Sequence, residues 1–221
     1  PSVPTVVGAL IVIGGRQLGL AILTHECTHR SLFRTRWLND AVGRWLCGGP
    51  VWSDVRRYRL EHMQHHSFTG TERDPDLGLT TPFPTTSGSL IRKVLRDLSG
   101  ISGVKRIAAL IAMDLGFLSF SASVNQQRQV PGTLTEIARR GWSRLLPVVV
   151  ANSLLATVLL VLGQPWLYLL WVGAYLTTYS LFLRVRAIAE HAMTEAGPTK
   201  RETQGQPTQT HWLACSWHHT V

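Results

Sequence analysis

Residues 145–162, LLPVVVANSLLATVLLVL, and 166–183, WLYLLWVGAYLTTYSLFL, are uncharged apolar runs of 18 residues each, separated only by Gly163-Gln164-Pro165. A helix crosses the hydrocarbon core of a bilayer with about 20 residues, and tilt or flanking Trp absorbs a small deficit. The two runs therefore predict a transmembrane helical hairpin that leaves one side of the membrane and returns to it. Trp142 and Trp166 fall where interfacial aromatic side chains gather. The fold class that follows is all-α: a helical integral membrane protein, one domain over residues 1–221, with spans at about 1–20, 145–162 and 166–183 and a His-rich helical cap on the cytosolic side.

Working outward, the first apolar stretch, Pro4 to Leu23, is interrupted by Arg16 and Gln17. A charged side chain at the bilayer centre costs on the order of 3 kcal/mol, so the span is expected to exit near Arg16 rather than centre on it. Nine further helical residues at about 1.5 Å each would hold His25 some ~14 Å beyond that exit. Residues 104–124 are apolar but carry Asp114 and Gly116 in mid-run and Lys105-Arg106 at one end, which favours an interfacial or partly buried helix over another crossing. Residues 80–90 and 196–210, rich in Pro, Gly, Thr and Gln, read as loops.

The chain holds 22 Lys and Arg against 13 Asp and Glu, for a net charge of +9. Nucleic-acid binding would want that charge on the face of a soluble domain. Here it lies between apolar spans: apart from Arg16, Arg184, Arg186, Lys200 and Arg201, every Lys and Arg falls between Arg30 and Arg144. Basic residues mark cytoplasmic loops, so the central region and the C-terminal tail are expected on the cytoplasmic side, most simply of a bacterial inner membrane. Cys27, Cys47 and Cys215 are too few and too scattered for a disulfide framework and read as reduced. With Pro1 first and Val221 last, and no secretory signal, the sequence reads as a fragment.

Chemistry concentrates in two clusters, His25-Glu26-Cys27-Thr28-His29 and His62-Met63-Gln64-His65-His66. At spacings of three and four residues, side chains share one helix face, so each cluster presents imidazoles toward one metal-sized volume. A site rich in imidazole nitrogen suits zinc, copper, iron or nickel. The first cluster also satisfies HExxH, in which two His bind zinc and Glu26 would act as general base of a membrane protease. Against this, a catalytic zinc takes three protein ligands and a water, which five histidines overfill. His191, eight residues past the end of the second apolar run, is a further candidate ligand. Asp54, Glu61, Asp74, Asp76 and Glu190 are candidate acceptors for the imidazole N–H groups.

Taken together, the chain resembles the membrane fatty acid desaturase and hydroxylase superfamily. The likeness rests on His25-xxx-His29 with Leu32-Phe33-Arg34 and Trp37-Leu38-Asn39-Asp40, and on His62-xx-His65-His66 with Thr69-Gly70-Thr71 and Arg73-Asp74-Pro75-Asp76. It continues in Arg184 to His191. The resemblance implies a di-iron centre on the cytoplasmic side, ligated by His25, His29, His62, His65, His66 and His191, with an acyl chain held in a tunnel among the helices. It implies O2 as co-substrate, a fatty acyl lipid substrate, and electrons from a ferredoxin-, rubredoxin- or cytochrome-type protein. The superfamily's third box, HxxHH, does not appear; Cys215-Ser216-Trp217-His218-His219 has its outline with Cys in the first place. His211, His218 and His219 are left without a role.

The expected activity is O2-dependent desaturation of a fatty acyl chain. The alternatives are a di-iron hydroxylase or ketolase on acyl, alkane or carotenoid substrates and, from other classes, the zinc membrane protease or a non-catalytic metal-binding membrane protein. The basic residues Arg56, Arg57 and Arg59 suit membrane-surface anchoring or an acidic electron carrier.

Overall fold

The computed structural model describes residues 2–80, 85–121, 127–129 and 132–191. Among these, every extended element is helical: α1 (Val3–His29), α2 (Arg36–Val42), a π-helical turn (Gly43–Gly48), a 3-10 turn (Gly49–Val51), α3 (Val55–Phe68), α4 (Leu77–Thr80), α5 (Ser87–Leu98), α6 (Ile101–Leu115), α7 (Leu134–Val161), α8 (Leu167–Leu176) and α9 (Thr178–His191). The large apolar side chains of α1, α7 and α8 face outward, among them Val12, Leu154, Val161 and Leu169. Inside lie Gln17, Thr24, Thr28, Asn39, Asp97, Asp114, Thr178 and Ser180. Apolar outside and hydrogen-bonded polar inside is the pattern of a protein solvated by lipid. Among the described residues two helices, α1 and α7, are long and apolar enough to cross a membrane.

α1 tolerates Pro4 because a first-turn N–H has no helical partner. It runs unbroken past the exposed Arg16 to His29, so one rigid rod joins the apolar span to the first histidine cluster. Gly14 lets it lie directly on α9, where a Cβ would clash with Thr178. Gln17 Nε2 donates to the Trp171 carbonyl at 2.9 Å. Small and polar contacts of this kind hold transmembrane helices together where lipid removes the hydrophobic drive.

α7 begins well before Leu145, at a capping box in which Thr133 Oγ1 accepts from the Glu136 N–H and the Glu136 carboxylate accepts from the Thr133 N–H. Pro147 inside this helix removes the partner of the Ser143 carbonyl four residues back. Arg44, from the π-helical turn, donates Nη2 to that carbonyl at 2.9 Å. The proline thus opens an acceptor that docks the loop region onto the span.

Three expectations need correction. The span expected over 166–183 is not one helix: it breaks at Thr177, whose φ of −109° and ψ of −88° separate α8 from α9. Thr177 Oγ1 caps the Gly173 carbonyl at 2.7 Å, and Arg106 from α6 donates Nη2 to the Tyr175 carbonyl at 2.7 Å and Nη1 to Ser180 Oγ at 3.1 Å. Gly103 allows this approach, since a Cβ there would collide with the Leu176 backbone. The helix expected over 104–124 is shorter, Ile101–Leu115, and stops at Gly116 in the left-handed region (φ 88°). At 15 residues and about 1.5 Å per residue it is too short to cross alone. Finally, the loop expected over 80–90 gives way to α5 from Ser87 onward, with Thr86 Oγ1 accepting from the Ser89 N–H. The expected 196–210 loop lies outside the described residues.

Candidate metal centre

The C-terminal end of α1 crosses α3, and three polar clamps fix the crossing. Arg59 of α3 donates Nε to the Thr28 carbonyl and Nη2 to the Cys27 carbonyl, both at 2.8 Å, while pairing with Asp40 at 2.6 Å. A guanidinium on the last carbonyls of a helix satisfies acceptors and complements the helix dipole. Asp54 caps α3 by accepting from the Arg56 and Arg57 N–H groups at 3.0 and 3.3 Å. Buried Asp114 of α6 then accepts from Trp52 Nε1 at 2.9 Å and pairs with Arg57. Asn39, fully buried, holds the intervening loop through the Phe33 backbone N–H and carbonyl.

These clamps bring four imidazoles to one point. His25 and His29, four residues apart on α1, meet His62 and His66, four apart on α3. His29 Nε2 lies 3.3 Å from His25 Nε2 and 2.9 Å from His62 Nε2, and His66 Nε2 lies 3.0 Å from His62 Nε2. Ligand atoms of His25, His29 and His62 all fall within 4.8 Å of one another. His65 sits one step aside, its ring stacked 5.9 Å from that of His62. His191 closes α9, and its side chain lies outside what is described, as do His211, His218 and His219.

The second ring nitrogens explain the orientation. His65 Nδ1 lies 2.7 Å from Asp74 Oδ1, and His25 Nδ1 lies 3.2 Å from Glu26 Oε1. An ionised carboxylate only accepts, so these Nδ1 atoms carry the proton and the Nε2 atoms are left with lone pairs. Asp74 is itself held by the backbone N–H groups of Gly70 (2.8 Å) and Asp76 (2.9 Å). His62 is buried, and burial, reinforced by the imidazoles of His25, His66, His29 and His65, pushes its pKa down to about 2. It is therefore neutral at physiological pH, as a nitrogen ligand must be.

Imidazole nitrogens this close to one another share either a proton, as donor and acceptor, or a common cation. Two nitrogens bound to one ion at about 2.1 Å, and subtending 90–110° there, stand about 3.0–3.4 Å apart. The Nε2 separations of 3.3 and 3.0 Å fall in that range, and that of 2.9 Å lies just below it. The donor set is thus compatible in chemistry and dimension with a transition metal.

Residues 1–220 match the model of the family described as fatty acid desaturase. The chain belongs to the fatty acid desaturase family. Among curated relatives it is similar to an sn-1 oleoyl-lipid 12-desaturase of Anabaena variabilis (34% identical over 28% of this chain and 17% of the relative). It is also similar to an sn-1 acyl-lipid omega-3 desaturase (ferredoxin) of Nostoc sp. (35%, over 23% and 14%) and to beta-carotene 4-ketolase 3 of Haematococcus lacustris (32%, over 35% and 25%). These matches cover a quarter of the relatives' own length or less. No solved structure matches the chain.

Within this desaturase-family fold, two features were not anticipated from sequence. Tyr58 stacks on His62 with ring centroids 5.1 Å apart, and burial pushes its phenol well above the usual range, so it stays protonated. Its place four residues before His62 on the same helix face was the available signal. Glu26 is committed to His25 Nδ1 and to Ser31 Oγ at 2.7 Å, rather than to the Nε2 side where a protease base would act. Of the other carboxylates weighed as imidazole partners, Asp54 caps α3 and Glu190 pairs with Arg186 at 2.8 Å.

Proposed function

We propose that this protein desaturates a fatty acyl chain in an O2-dependent reaction, using two iron ions held by His25, His29, His62, His65, His66 and His191. The observation that carries the reading is the convergence of the Nε2 atoms of His25, His29, His62 and His66 at the junction of α1 and α3. The chemistry that bound iron would supply is activation of O2 against an unactivated C–H bond, beyond the reach of acid–base side chains. Two hydrogens leave the acyl chain and, with two electrons and two protons from outside, O2 leaves as two waters.

The chain's own residues supply position. Glu26 and Asp74 hold the protons on Nδ1 of His25 and His65 and so aim their Nε2 atoms. The low proton affinity of His62 keeps its nitrogen free for a metal. Mounting the cluster where α1 leaves its apolar span suits a substrate whose chain lies in the bilayer and whose reacting carbons must reach the aqueous edge. The excess of Lys and Arg between Arg30 and Arg144 supports a cytoplasmic placement of this edge, in a bacterial inner membrane, within reach of a ferredoxin-, rubredoxin- or cytochrome-type donor. The relative named for ferredoxin favours the first of these.

Hydroxylation or ketolation is the second reading, favoured by the likeness to a carotene ketolase. Lipid profiling of cells expressing the intact gene separates the two. New acyl double bonds that vanish with His62→Ala are expected; hydroxylated or oxidised products without new double bonds would overturn the desaturase reading. Metal analysis of the same protein should find iron, and stoichiometric zinc in its place would overturn the iron reading.

A further inference from the structure

We propose that the α5–α6 hairpin is a second membrane contact, a surface module that lies on anionic phospholipid headgroups. On α5, Ile91, Leu95 and Leu98 are 58%, 60% and 44% exposed, and on α6, Ile101 and Val104 are 49% and 58% exposed. On a helical wheel Ile91, Leu95 and Leu98 form one strip, with Arg92 on its rim and Arg96 turned toward the far side. The exposed strip of α6 continues through Ile111 and carries Lys105 at its edge. An apolar strip rimmed by Arg and Lys is the surface a helix presents when it lies in the headgroup region of a bilayer.

The hairpin's anchorage sets it at the corresponding height. Asp97 of α5 is fully buried and pairs with both Nε and Nη2 of Arg184, the Nη2 contact at 2.8 Å. Arg184 immediately follows Leu183, the last residue of the uncharged run 166–183. α5 is therefore tied to the point where apolar sequence ends, while Gly103 presses α6 against Leu176.

Charge selects the occupant. Asp97 and Asp114 are the only acidic residues of α5 and α6, and both are buried against arginine. The exposed charge is wholly positive, which complements anionic lipid, whereas a symmetric second copy would set like charges against each other. The assignment rests on the membrane placement of the chain and is independent of the iron reading.

The test uses the intact chain with Cys215→Ser, carrying a nitroxide at Ile91→Cys, Leu95→Cys, Val104→Cys or Arg92→Cys. It is reconstituted in phosphatidylcholine vesicles with or without a roughly one-third share of phosphatidylglycerol, and depth is read by oxygen against nickel accessibility. Labels at 91, 95 and 104 are expected about 5–10 Å below the phosphate level, with the label at 92 at or above it. Removing phosphatidylglycerol, or adding Lys105→Gln, should move the three labels toward water. Labels open to nickel, as on a solvated helix, would overturn the proposal. So would labels shielded from both reagents, as beneath a second copy or another segment, and equal depths in both vesicle types would overturn the anionic selectivity.

Discussion

His62 stands between two other Nε2 atoms, and its neighbours leave it no comfortable proton. Its ring is buried, its pKa is pushed to about 2, and among the described residues its Nδ1 has no hydrogen-bond partner. The unfolded chain would take a proton on this imidazole near pH 6.5, whereas the folded chain takes it only near 2. Between those values the unfolded state binds more protons, so acid favours unfolding and stability is regained as pH rises toward the upper limit. The melting temperature of the metal-free protein in detergent should fall as pH is lowered from about 6.5, and His62→Gln should flatten that slope. Asp74 acts one bond further out. Asp74→Asn keeps the volume but removes the charge and one of the two acceptor oxygens that together hold His65 Nδ1 and the Gly70 and Asp76 N–H groups, and metal retention should weaken about 10–100-fold in a chelator competition. Glu26→Gln should lower retention in the same direction without abolishing turnover, whereas a protease base at that position would make its loss complete.

At the scale of elements, the histidine face of α3 depends on a charge it does not carry. Asp114 of α6 joins Trp52 and Arg57, and Arg144 of α7 donates to the Met113 carbonyl at 2.8 Å, so α3 and α7 are both fastened to the C-terminal end of α6. Asp114→Ala leaves Trp52 Nε1 without its acceptor and Arg57 with Asp54 alone, and should cost about 1–3 kcal/mol of stability, read as a lowered unfolding midpoint in detergent. Metal retention should fall with it, because α3 loses its lateral restraint. The element pattern was legible where periodicity spoke: the spacing of three and four in HMQHH placed those histidines on one helical face, and α3 has that face. It was not legible at Thr177, because a Thr pair inside an apolar run looks innocuous until Arg106 arrives from a distant helix. Nor was it legible in α5, whose Ser87-Gly88-Ser89 start reads as loop chemistry although Leu90, Ile91, Val94, Leu95 and Leu98 follow at helical spacing. The turned Glu26 escaped because sequence spacing shows a shared face but not which ring nitrogen a carboxylate will take.

Across the whole molecule, polarity is sorted along two directions. Apolar side chains face outward around α1, α7 and α8, and charge is absent from the run after Arg144 until Arg184. The first sorting reflects lipid as solvent, and the second the charge asymmetry of loops on the two sides of a membrane. The apolar runs and the charge asymmetry could be read from the order of residues alone, which is why the fold class was accessible before any contact was known; the direction each apolar side chain faces could not. If the hairpin of α7 with α8 and α9 spans the bilayer, Gln164 at its turn and Arg36, seven residues after His29, lie on opposite faces. Both positions are exposed. With Cys215→Ser as background, a membrane-impermeant maleimide should label Gln164→Cys in intact cells and Arg36→Cys only after permeabilisation. The reversed pattern would invert the orientation and place the histidines away from cytoplasmic electron carriers. Labelling of both from one side would mean that the interruption at Thr177 turns the chain back before it crosses.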